Sequence, residues 1–144
     1  MKKVLMLALL FCGAMSLFAE SASVKFISLD EFRKLIEAND GLVIVDVLGR
    51  ESYKNAHVKG AVNIPLAELG EETNLKSLKK YKTIVVYCAH SRCHASVNAA
   101  ELLMKSGFSN VLDFKGGIKE WTEAGMPVDS SSSEDEKKSC SKKE

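Results

Sequence analysis

Apolar and polar positions switch between two periods along this chain, and the switches mark its elements. Val24 to Ile27 reads as a short strand. Ser28-Leu29-Asp30-Glu31 is a capping box opening a helix that carries Leu29, Phe32, Leu35 and Ile36 on one face, and Gly41 closes that unit. Leu42 to Val47 is apolar on both alternating faces until Asp46, as expected of a strand covered on both sides. Asp46 therefore stands near its carboxyl end. A short helix is predicted over Glu51 to Ala56, a return toward the core over Val62-Asn63-Ile64-Pro65, and a helix with an irregular middle over Leu66 to Leu78. Thr83 to Tyr87 is the predicted central strand. From Ala95 to Lys105, Ala95, Ala99, Leu102 and Leu103 mark one helical face, and Gly107 stops it. Val111 to Phe114 is a last strand, Gly116-Gly117 a tight turn, and Ile118 to Ala124 a short helix ended by Gly125. Strand and helix alternate throughout, with no internal repeat. That pattern predicts an α/β fold with a parallel sheet and helices on both faces.

The two ends fit neither period. Lys2 and Lys3 precede the apolar run Val4 to Phe11, and small residues follow at Cys12-Gly13-Ala14 and Ala19. This is the pattern of a secretory signal peptide over residues 1–19, cleaved after Ala19, and it is short of the about 20 apolar residues of a membrane span. The expected product is exported, to the bacterial periplasm, with no transmembrane span. Leu9-Leu10-Phe11-Cys12 loosely resembles a lipoprotein signal that would anchor the chain through Cys12, although bulky Phe11 weighs against it. Beyond Val128 the run Ser130 to Lys138 is polar without periodicity, so residues 129–144 are expected to be a disordered tail and residues 24–128 the domain. Cys140 on that tail is either part of a solvated extension or a mobile partner for Cys88.

Composition narrows the class. Net charge is +1, and removal of Lys2 and Lys3 takes it to −1, which argues against nucleic acid or an anionic membrane as partner. Of 4 cysteines, Cys88, Cys93 and Cys140 survive cleavage, an odd number that argues against a disulfide framework.

The chemistry gathers at Cys88-Ala89-His90-Ser91-Arg92-Cys93-His94. A cysteine ending a β-branched run points out of the carboxyl edge of a sheet, where open α/β folds collect ligands. A helix starting just beyond turns unpaired N–H groups toward its sulfur and favours the thiolate. Lowering a free thiol by two pKa units takes roughly 2.7 kcal/mol, of which a helix terminus supplies about 0.3–1, and at best about 2. Loop amides and the Arg92 cation are expected to supply the rest. The competing reading makes Cys88 a small buried hydrophobe. His90 and His94 are candidates to tune the thiol or carry protons. Cys93 is either a resolving thiol or a residue packed under the helix start, a question of whether the two Cα atoms lie within about 7 Å.

Other chemistries fit less well. Cys88, His90, Cys93 and His94 are all soft-metal ligands, but their crowding is unlike paired zinc-site spacing, and no metal is assigned. A cysteine phosphatase loop needs Arg where this chain has His94, so bidentate phosphate binding is lost. Asp46 is expected either to orient the loop or to cap the turn after its strand. His57 and Trp121 read as packing residues.

Several stretches taken together resemble the rhodanese sulfurtransferase domain. They are Val43-Ile44-Val45-Asp46-Val47 with Glu51-Ser52-Tyr53, His57 to Pro65, Val85-Val86-Tyr87-Cys88, Ala99 to Leu103, Gly107 to Val111 and Gly116 to Val128. The resemblance implies a rhodanese-like parallel sheet flanked by helices, with an active-site loop beginning at Cys88. It implies that Cys88 takes a sulfane sulfur from a small anionic donor such as thiosulfate or polysulfide, held by Ala89, His90, Ser91, Arg92, Cys93 and His94. The persulfide would pass its sulfur to a thiol, cyanide or a protein, and no cofactor is implied. Two departures stand out: Leu48 replaces an arginine common in the family, and no glycine lies near Ser91. The loop looks like a subgroup with a second cysteine five positions after the nucleophile, and no signature separating thiosulfate from mercaptopyruvate users is matched. Dithiol redox or persulfide reductase chemistry of Cys88 and Cys93, a non-catalytic sulfur relay and a metal-binding module remain the alternatives.

Overall fold

The computed structural model describes residues 23–130. The segment expected to be a signal peptide, Cys12, Cys140 and the expected tail beyond Ser130 lie outside the described residues. Within them run β1 (Lys25–Phe26), α1 (Leu29–Ala38), β2 (Leu42–Asp46), α2 (Arg50–Asn55), β3 (His57–Val58), β4 (Val62–Asn63), α3 (Glu72–Leu78), β5 (Thr83–Tyr87), α4 (Ala95–Lys105), β6 (Val111–Phe114), α5 (Gly117–Glu123) and β7 (Val128–Asp129). Five strands form one parallel sheet in the order β1-β6-β5-β2-β4.

The sheet is buried on both faces, which is why its central strands are continuously apolar. One face packs Val43, Val45, Ile84, Val86 and Val111 against Leu78 of α3 and Ala99, Ala100 and Leu103 of α4. The other packs Ile44, Val85, Leu112 and Phe114 against Phe32 of α1 and Trp121 of α5. Phe32 lies 5.0 Å, ring centre to ring centre, from both Phe114 and Trp121. Helices thus cover both faces of a parallel sheet, as the alternating pattern predicts. Cys88 follows the middle strand and emerges at the carboxyl ends.

Local signals explain the boundaries. Ser28 accepts the Glu31 amide while Glu31 reaches back to the Ser28 amide, the reciprocal cap read from the sequence. Gly107, at φ +93°, ends α4 with its amide on Met104 and the Phe108 amide on Leu103.

Three expectations change. Asn39, not Gly41, stops α1: it takes the left-handed conformation at φ 43° and returns its amide to Leu35. Only Glu72–Leu78 of the predicted Leu66–Leu78 helix forms, because Pro65 to Glu71 fold as successive turns that drop Leu69 fully into the core. Asp129, assigned to the tail by composition, pairs with His57 in an antiparallel two-stranded sheet of β3 and β7. Two-residue strands carry too little alternation to read.

Candidate active site

The loop between β5 and α4 is held from two sides. At its start, the amides of Ile118 and Lys119 in the first turn of α5 donate to the carbonyls of Cys88 at 2.9 Å and Ala89 at 3.0 Å. Gly117 makes this approach possible: it sits at φ +66°, and a β-carbon there would lie 2.7 Å from the Ala89 carbonyl carbon. Gly116-Gly117 is therefore more than a turn. It is the seat of the loop. At the far end, Lys115 Nζ donates to the Cys93 carbonyl at 2.6 Å, and the Cys93 amide closes a turn on His90 at 2.9 Å.

The two thiols interact. Cys88 has no exposed surface, whereas Cys93 is half-buried, and both are free of disulfides. Around Cys88 Sγ stand the carbonyls of His90 at 3.9 Å and Cys93 at 3.6 Å, and Ser96 Oγ at 3.3 Å. His94 precedes α4 without a side-chain cap, which leaves first-turn amides for sulfur. The Ser96 amide serves Cys88, and the Ala95 and Ala89 amides serve Cys93.

This division reverses the expected electrostatics. Burial pushes the Cys88 thiol up, and its hydrogen bond to Cys93 adds to the rise, against the help of Ser96. Burial also opposes the Cys93 thiolate, but the Cys88 thiol hydrogen, the two amides and the Lys115 charge outweigh it and bring Cys93 down. The sequence reading put the easily ionised thiol at Cys88; the structure puts it at Cys93. The physical reason is depth, since the sulfur that ends the central strand points into the core.

The remaining predicted residues divide. His90, Ser91, Arg92 and His94 are exposed, and Ala89 is half-buried. His90, Ser91 and Arg92 face Gly116, Lys119 and Glu120 across an open cavity of about 300 Å³. Arg92 thus lines a mixed-charge cleft on the outer side of the loop, and the cation that touches the Cys93 carbonyl and acts on its thiol is Lys115, which sequence reasoning passed over. Asp46 accepts the Leu48 amide at 2.9 Å, so its contact is with the turn after β2. It reaches the loop only through Tyr87, its partner in register and the residue before Cys88. Burial raises the Asp46 carboxyl, with Tyr87, Leu48 and His57 acting against the rise. His57 is buried, with its ring stacked on Tyr53 at 3.7 Å and its Nδ1 2.7 Å from the Tyr53 carbonyl. Among the described residues, no three His, Cys, Asp or Glu side chains gather as a metal site.

Ser96 and Asp113 were also missed. Both interrupt buried apolar patterns, Ser96 on the Ala99–Leu103 face of α4 and Asp113 within Val-Leu-Asp-Phe of β6. A polar residue in a buried stripe was the available signal.

Known proteins share this fold. The sequence model of the Rhodanese-like domain matches residues 28–124, most of the described chain. The chain belongs to the rhodanese-like family. It is 34% identical to the thiosulfate sulfurtransferase GlpE of Coxiella burnetii over 67% of this chain and 86% of that protein. It is 33% identical to a putative sulfur carrier protein, YrkF of Bacillus subtilis, over 71% of this chain, and spans 53% of that relative. Among solved structures, the BH2092 protein of Bacillus halodurans superposes with a TM-score of 0.66 at 29% identity, covering 76% of this chain and 77% of that one. The rhodanese-like family includes sulfurtransferases, and the fold is that of its solved members.

Proposed function

We propose that this domain is a sulfurtransferase that carries a sulfane sulfur as a persulfide on Cys88. The thiolate of Cys88 attacks the outer sulfur of a donor such as thiosulfate; the donor S–S bond breaks and sulfite leaves with its electron pair. A thiol, cyanide or protein nucleophile then takes the outer sulfur, and Cys88 leaves as thiolate. The observation that carries this reading is the position of Cys88 at the carboxyl end of the central strand, its carbonyl clamped by α5 and its sulfur facing the start of α4. Family membership supports it. Because Cys88 is covered, the Ala89–His94 segment must part before a donor reaches the sulfur, and Arg92 and Lys119 on the outer cleft favour an anion arriving there.

The test is the intact mass of the protein after incubation with thiosulfate or polysulfide. The expected result is a gain of one sulfur atom that Cys88→Ser abolishes. No gain with any donor, or the same gain in Cys88→Ser, overturns the proposal.

The Cys88–Cys93 contact favours a second step. Cys93 thiolate attacks the inner sulfur of the Cys88 persulfide, hydrosulfide leaves, and a Cys88–Cys93 disulfide remains until an external dithiol reduces it. Peptide mapping after turnover is expected to find that disulfide in the wild type. Turnover that leaves both thiols free removes the step.

A further inference from the structure

Two donors meet at the carbonyl oxygen of Cys93. Lys115 Nζ donates to it at 2.6 Å from the end of β6, and the Cys88 thiol donates to it at 3.6 Å. The ammonium therefore lies no farther from Cys88 Sγ than those two distances laid end to end. An opposite charge at about 4–6 Å shifts an ionisation, and salt screens it little beside a covered group.

The sulfur needs such a charge. Cys88 has no exposed surface, and burial pushes its thiol up. The backbone around it adds to the cost, because the carbonyl oxygens of His90 at 3.9 Å and Cys93 at 3.6 Å turn the negative ends of their dipoles toward the sulfur. Ser96 Oγ at 3.3 Å is the side-chain hydroxyl able to donate to an anion there. Lys115 holds the nearer of the two opposing oxygens and draws its electron density away from the sulfur, so the contact that pins the loop also offsets the carbonyl that opposes a thiolate.

We propose that Lys115 is the counter-charge of Cys88, a positioning residue that acts through the Cys93 carbonyl to favour both the thiolate that attacks a donor and the persulfide anion that replaces it. The charge balances: a thiolate and thiosulfate become a persulfide anion and sulfite, so one negative charge stays at the site throughout. Arg92, four positions after Cys88 in sequence, lines the outer cleft instead, beside Glu120 and a Lys119 already paired with Glu123 at 3.2 Å. Of the other ionisable groups, Cys93 meets Lys115 from the loop and Asp113 from its own strand, and its charge acts on both. α4 presents Ser96, which does not titrate, and α5 presents backbone amides to the loop carbonyls.

The consequence for catalysis rests on Cys88 being the sulfur carrier, but the test reads the thiol directly. Cys93→Ser removes the competing thiol and keeps the carbonyl, which belongs to the backbone. In that background, Cys88 carbamidomethylation by iodoacetamide is followed across pH by peptide mapping, and the rate at pH 7 is divided by the plateau rate above the thiol range. That ratio reports the thiolate fraction and cancels any change in access through the loop. Lys115→Met is expected to lower it about three- to tenfold, because Cys88 then ionises at higher pH. Lys115→Gln keeps an N–H donor without the charge; it is expected to fall likewise, and it carries the test if Lys115→Met does not fold. Arg92→Met is expected to lower the ratio less than Lys115→Met does. An unchanged ratio in Lys115→Met, the parent's ratio in Lys115→Gln, or a larger fall in Arg92→Met than in Lys115→Met overturns the proposal. A protein that gains no sulfur from thiosulfate yet shows the Lys115-dependent ratio supports the counter-charge and removes the sulfur-transfer reading.

Discussion

Ile118 donates its amide hydrogen to the carbonyl oxygen of Cys88 at 2.9 Å, so the helix that closes the domain holds the residue that begins the loop. That bond depends on Gly117, whose missing side chain lets two backbones touch. Gly117→Ala would place a methyl group 2.8 Å from the Ala89 carbonyl oxygen on a left-handed backbone. The expected loss is about 1–2 kcal/mol from the backbone and about 1–3 from the crowding. Urea unfolding followed by Trp121 fluorescence measures it. Sulfur loading on Cys88 should fall with it, because the loop has lost its seat. A Gly117→Ala protein as stable as wild type contradicts this account.

The two thiols should differ in a direct chemical assay. Cys93 is lowered by its amides, by the Cys88 hydrogen and by Lys115, despite partial burial, whereas Cys88 is raised by burial. At pH 7 and limiting iodoacetamide, Cys93 is expected to be modified first, by about tenfold or more. Site-resolved peptide mapping reads the ratio. Preferential labelling of Cys88 would refute the assignment.

What was legible in the sequence followed from how much chain carried each signal. The five-residue strands β2 and β5, buried on both faces, and the eleven-residue α4 show their periods plainly. Strands β3 and β7 have two residues each, and no period can be read from two. For the candidate site, the place of Cys88 between a strand end and a helix start was legible because such boundaries leave marks in the sequence. Its depth was not, since burial depends on which way one side chain turns at the strand end. Arg92 stands out by proximity in sequence, while Lys115 meets the Cys93 carbonyl from the end of a neighbouring strand. Ser96 and Asp113 are both buried where α4 lies on β6, a packing of segments far apart in the chain.

Asp46 offers a test of burial through pH. Burial raises its folded-state carboxyl above the unfolded value, so the folded chain keeps that proton longer than the unfolded one. Its contribution is fully present below the unfolded carboxylate range and is lost as pH rises through the folded value. Asp46→Asn keeps an oxygen for the Leu48 amide but has nothing to titrate. The wild type is therefore expected to lose stability relative to Asp46→Asn between pH 4 and pH 8. Urea midpoints at the two pH values decide it, and a constant difference counts against a buried, raised Asp46.

Lys115 has two roles that a pair of substitutions separates. Its ammonium holds the Cys93 carbonyl at 2.6 Å, and its charge favours the Cys93 thiolate. Lys115→Met removes both; Lys115→Arg keeps the charge but changes the reach. Loss of the charge raises the Cys93 thiol, so less thiolate is present at pH 7 and alkylation of Cys93 should slow about three- to tenfold. Above the thiol range, where Cys93 is fully ionised in every variant, the rates should converge. Lys115→Arg is expected to recover most of the rate at pH 7. If Lys115→Met alkylates like wild type across the whole pH range, the lysine serves only to pin the loop backbone, and the ease of ionisation at Cys93 comes from the amides of Ala89 and Ala95.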